Sequence, residues 1–133
     1  MFYLIHNDEL KLQFDVTGVE DALPSIAFDI IGSWNMPYQQ VDFSLKECWF
    51  ECSTWDKFQN NILLSIEQNS GCISLNDVSE NPIITLTKEG NELTTVIQCK
   101  DSCELGLFKL RVSGYSIELP EIYNKMLQLD KWW

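Results

Sequence analysis

Residues 41–66 read VDFSLKECWF ECSTWDKFQN NILLSI, and the spacing of their apolar positions changes partway along. Val41, Phe43 and Leu45 alternate with Asp42, Ser44 and Lys46, the period of a strand with one face turned to a core. The strand is expected to reach about Phe50. From Ser53 onward, Trp55, Phe58, Ile62, Leu63 and Ile66 recur at intervals of three and four, which is one stripe along a helix of about four turns. Ser53 is expected to cap the first turn through its side-chain oxygen. Asp56 suits the positive end of the helix, and Asn69-Ser70-Gly71 supplies the stop.

The same two periods organise the chain on either side. Upstream, Phe2–His6 reads as a first strand, and Leu10, Leu12, Phe14 and Val16 alternate with Lys11, Gln13, Asp15 and Thr17 in a second. After a polar connection over residues 18–24, Ile26, Phe28 and Ile30 point one way while Ala27, Asp29 and Ile31 point the other. Asn35-Met36-Pro37-Tyr38 turns the chain into the strand quoted above. Downstream come a short strand over Cys72–Leu75, a loop from Asn76 to Pro82, and Ile83–Lys88 joined to Glu92–Lys100 through Glu89-Gly90-Asn91. A last strand covers Leu105–Val112. Pro120 opens a closing helix carrying Ile122, Tyr123, Met126 and Leu127, with Trp132-Trp133 at its end.

One-sided alternation repeated in successive segments predicts an α+β fold, mostly antiparallel β-sheet with one central amphipathic helix and one C-terminal helix. The expected core is Leu12, Phe14, Ile26, Phe28, Ile30, Val41, Phe43, Leu45, Phe58, Ile62, Ile66, Phe108 and Leu110. At 133 residues, 45% hydrophobic and 12% aromatic, the chain reads as one domain that needs neither metal nor disulfide to hold a core and is not disordered. Its apolar runs fall far short of the ~20 residues that cross a bilayer, and no basic leader precedes them, so a cytoplasmic protein without a membrane partner is expected.

Twenty Asp and Glu stand against nine Lys and Arg, for a net charge of −11. Such a field repels phosphate backbones and excludes nucleic acid as a ligand. It attracts basic proteins, although an acid surplus also serves solubility alone. The five cysteines are an odd set without an export signal and read as reduced thiols. Cys48-x-x-x-Cys52 and Cys99-x-x-x-Cys103 lack the tight turns of a zinc knuckle, so no metal is expected. The six glycines are scattered and form no phosphate loop, and no cofactor is expected. His6, the one imidazole, ends an apolar strand with no nucleophile in its sequence setting.

Paired carboxylates can hydrolyse glycosides unaided, but nothing in the spacing of Glu20, Asp21, Asp29 and Asp42 separates a catalytic dyad from a solvated surface. The same acids suit pairing with Arg and Lys of a basic partner. Trp34 and Tyr38 flank the 35–37 turn and, with Trp49, offer the aromatic anchors that dominate protein interfaces. The alternative role for these rings is to seal the end of the sheet.

The strand Gln40–Leu45, the helix Ser53–Leu64, then Ser70-Gly71-Cys72-Ile73-Ser74-Leu75 and a hairpin together resemble the small bacterial immunity proteins that accompany polymorphic toxins, in particular the WapI-type and contact-dependent growth-inhibition immunity proteins. The likeness covers roughly residues 25–130; the richness in cysteine and the Trp-Trp end depart from it. The resemblance implies a cytoplasmic inhibitor without enzymatic turnover. It would bind the basic C-terminal domain of a cognate toxin, often a nuclease, and block its active or substrate-binding site. Glu20, Asp21, Asp29, Trp34, Tyr38 and Asp42 are the expected toxin-binding residues. A small-ligand or scaffold module, and a carboxylate-dependent hydrolase, are the competing functions, and oligomeric state is open.

Overall fold

A computed structural model describes residues 1–101, 103 and 105–133. The elements run β1 (Phe2–His6), β2 (Leu10–Glu20), β3 (Ser25–Met36), β4 (Gln39–Glu51), α1 (Cys52–Gln68), β5 (Ser70–Asn76), β6 (Pro82–Glu89), β7 (Glu92–Lys100), β8 (Leu107–Gly114) and α2 (Leu119–Met126). The fold is α+β: two antiparallel four-stranded meanders, β1-β2-β3-β4 and β5-β6-β7-β8, with α1 between them in sequence and α2 after the second. None of the helices described is long and apolar enough to cross a membrane.

The inner face of the first sheet is made of cross-strand rows, Phe14–Ile30–Leu45 and Leu12–Gly32–Phe43 among them. Trp55, entirely buried on α1, lies against this face, its ring 5.1–6.2 Å from those of Phe2, Phe14, Phe28 and Phe50. That cluster fixes the helix on the sheet, because aromatic pairs add to the area they bury. The second sheet contributes Ile73, Leu75, Ile84, Leu86 and Ile97 to the same apolar core, and α2 contributes Leu119, Ile122 and Met126. Helix α1 packs against β5 and α2, and α2 packs against β1. The two sheets meet directly where the ring of Phe43 of β4 lies against that of Phe108 of β8, their centroids 4.9 Å apart and their planes tilted by 39°.

Eight of the expected core residues are buried: Leu12, Phe14, Ile26, Phe28, Ile30, Leu45, Phe58 and Ile62. Phe43, Ile66, Phe108 and Leu110 are half-buried against them. Val41 is 37% exposed, because β3 and β4 keep pairing past the end of the core to Met36↔Gln39, leaving only Pro37 and Tyr38 as the turn. Helix α1 starts one residue before the expected cap. Strand β4 runs straight into it, so Glu51 is the extended N-cap residue, without a side-chain capping bond among the described residues, and Ser53 lies within the first turn. The stop is where it was expected, with Asn69 left-handed at φ 55°. At the other end, α2 stops at Met126, and Trp132-Trp133 belong to a non-helical tail.

Candidate protein-binding site

From Ile30 to Val41 twelve successive residues carry no charge, in a chain where 22% do, and Asp29 and Asp42 bound the stretch. It forms the far end of β3, the turn and the start of β4. Proline presets the turn geometry at Pro37. Asn35 donates its backbone N–H to the Glu9 carbonyl at 2.8 Å, tying the root of the hairpin to the β1–β2 connection. Beyond that root the hairpin stands clear of the core, with Met36 44% and Tyr38 99% exposed.

Trp34 and Tyr38 therefore differ. Trp34 lies on the inner face between Leu10 and Val41, half-buried against the core, its indole N–H buried without a hydrogen-bond partner among the described residues. It seals the sheet end and stiffens the hairpin root. Trp49 plays a similar part elsewhere: its ring lies over Gly18 and beside Ala27, which is buried on the strand face it shares with Asp29 and Ile31. Of the three rings, Tyr38 alone is free for a partner.

On the outer face beside the hairpin, Tyr3, Lys11, Gln13, Ile31, Ser33, Asp42 and Ser44 line a shallow depression of about 470 Å³. Register explains the grouping: Tyr3, Gln13, Ile31 and Ser44 form one cross-strand row, and Lys11, Ser33 and Asp42 form the next. Ile31, 39% exposed, is an apolar floor in a polar face, and the Tyr3 ring stacks on His6 at 4.3 Å. Asp42 joins the depression to the hairpin. An apolar floor with a carboxylate at its rim suits a side chain with an aliphatic stem and a positive head.

The other acids fall elsewhere. Glu20 and Asp21 are at the β2–β3 turn, where the Glu20 carboxylate accepts the Ala22 N–H at 3.0 Å. Nine residues of β3 separate that end from Trp34, about 30 Å of strand. Asp29 lies between the two ends and serves the fold. Its carboxylate accepts the Glu47 N–H at 2.9 Å and pairs with Lys46 at 3.5 Å, holding a bulge at which Glu47 adopts φ 49°. Asp15 faces Asp29 across the strands, a carboxylate pair that sequence reading missed because it depends on register. Asp15 accepts both hydrogen bonds of the Gln13 amide, at 3.0 and 3.1 Å, and neither Asp15 nor Asp29 lines the depression.

Burial disfavours the thiolate at three of the cysteines. Burial, and then the neighbouring Cys99, Asp77 and Asp29, push the Cys48 thiol up to about 12. Burial likewise raises Cys52 and Cys99. Among the described residues no three His, Cys, Asp or Glu side chains are placed to share a metal ion. Comparison with family models, with curated proteins and with solved structures found no match for this chain.

Proposed function

We propose that the chain is an inhibitor of the immunity type, acting in the cytoplasm, which binds a basic toxin domain through the β3–β4 hairpin end of its first sheet and blocks the toxin's active or substrate-binding site. The observation that carries the proposal is the uncharged, projecting hairpin with Tyr38 at its tip and Asp42 at its edge, in a chain of net charge −11. Interface cores are depleted in charge and enriched in Tyr, Trp and Met, and their rims are polar. Tyr38 and Met36 supply such a core patch; Asp42, Ser33 and Ser44 supply such a rim. Pairing that continues to the tip holds the hairpin in one shape before binding, which lowers the entropy lost on association. A toxin of the nuclease kind must present Lys and Arg to phosphates, and an acidic inhibitor can occupy that surface instead. Glu20 and Asp21, at the far end, contribute to the long-range field, and Asp29 contributes to the bulge.

The test is recovery of the tagged protein from cells that make it, with bound proteins identified by mass. A stoichiometric basic domain from the end of a large secreted protein is expected. Tyr38→Ala and Asp42→Lys should each weaken that complex, while Asp29→Asn leaves it intact. Recovery of the chain alone, from cells shown to produce such a toxin, would overturn the proposal.

A further inference from the structure

Strand β8 departs from the chemistry of the rest of the chain. From Leu105 to Ile117 thirteen residues contain Lys109 and Arg111 and no acid, although the whole chain holds 20 acids. Lys109 and Arg111 are exposed on the outer face of the second sheet, and neither is in an ion pair among the described residues. Leu107 beside them is 69% exposed. On the inner face, Phe108 and Leu110 touch the core yet are only half-buried.

The position of β8 explains that partial burial. It is the last strand of its sheet and pairs with β7 along its whole length, from Lys100↔Leu107 to Leu93↔Gly114. Among the described residues no backbone hydrogen bond from a loop or from another element reaches its far side. The other sheet edges have neighbours: α2 packs on β1, α1 packs on β5, and the Trp49 carbonyl of β4 accepts the Val78 N–H at 2.9 Å. An open edge offers alternating N–H and C=O groups to any extended chain.

We propose that the open edge of β8 is a strand-addition site for an extended acidic segment of another protein. Side chains of an added strand alternate between the two faces of the sheet. Apolar residues of the segment would cover Phe108 and Leu110, and the acidic residues between them would lie beside Lys109 and Arg111, at the spacing where cross-strand opposite charges attract. A second copy of this chain is a poor occupant, because two β8 strands would bring Lys109 and Arg111 of each against the other. Edge lysines guard against self-pairing in this way. The site is separate from the hairpin and stands whether or not the chain inhibits a toxin.

The test uses the full-length protein and the capped peptide EVEVEVE, with capped KVKVKVK as the control, read by amide hydrogen exchange. EVEVEVE should slow exchange at alternate amides between Leu107 and Ser113. Its affinity should fall roughly tenfold in the Lys109→Glu, Arg111→Glu double variant. Both substitutions are at exposed positions, and circular dichroism verifies that the variant is folded. Absence of protection along β8 at millimolar EVEVEVE, equal binding of the two peptides, or unchanged affinity in the double variant would each overturn the proposal.

Discussion

Gly32 is where the first sheet leaves room for its contact with the second. A Cβ added there would fall inside the ring of Phe43, which lies across the glycine on its way to Phe108. Gly32→Ala must therefore drive Phe43 away, and overpacking of this kind costs about 1–3 kcal/mol. Urea denaturation measures the loss, and Phe43→Ala in the same chain should recover part of it, since the two positions share one volume. Cys48 makes a second prediction at this scale. The unfolded thiol loses its proton near pH 8.5, while the folded one holds it up to about 12. Between those values the unfolded state binds fewer protons, so the contribution of Cys48 to stability is complete below that window and disappears as pH rises through it. The urea midpoint of Cys48→Ala should consequently fall less than that of the native chain between about pH 7 and about pH 10.5.

Helix α1 is held by its neighbours more than by its ends. Its N-terminal turn has no side-chain cap among the described residues, and Asp56 is instead met by the C-terminal tail: Lys131 Nζ donates at 2.6 Å to Oδ1 and Trp133 Nε1 donates at 3.0 Å to Oδ2. Lys131 also donates to Gln59 Oε1 at 2.9 Å. Trp133→Ala should speed hydrogen exchange in the first two turns of α1 and cost about 1 kcal/mol, the scale of one partly exposed charged hydrogen bond. Unchanged exchange there would mean the tail does not clamp the helix. The positions of such elements were legible in the local pattern: β1 and β7 have the limits expected, and the change of period after Phe50 located α1. Their ties were not legible. Asp56 and Lys131 are 75 residues apart, Asp15 faces Asp29 only in the folded register, and Trp49 covers Gly18 from two strands away. At the candidate site the turn, Tyr38 and Asp42 could be read from alternation and composition. The use of Asp29 to hold a bulge, and of Trp34 to close the sheet end, required the long-range packing.

On the scale of the whole molecule, charge and shape do different work in the proposed complex. The net charge of −11 belongs to the chain as a whole and acts at a distance, so it governs how often a basic partner arrives. Tyr38 acts only on contact, so it governs how long the partner stays. These two contributions separate experimentally. Raising salt from ~0.05 to ~0.5 M shortens the screening length from about 14 Å to about 4 Å, which should slow association steeply and alter dissociation little. Tyr38→Ala should do the reverse, speeding dissociation by roughly tenfold or more while leaving the salt dependence of association as it was. Asp42→Lys should change both rates, because that carboxylate belongs to the field and to the depression at once. Stopped-flow mixing with the captured basic domain measures all three. Association indifferent to salt would remove the field from the mechanism. Dissociation indifferent to Tyr38 would move the contact away from the hairpin, since a fully exposed ring at the tip of a stiff, uncharged arm cannot lie within an interface and leave its lifetime unchanged.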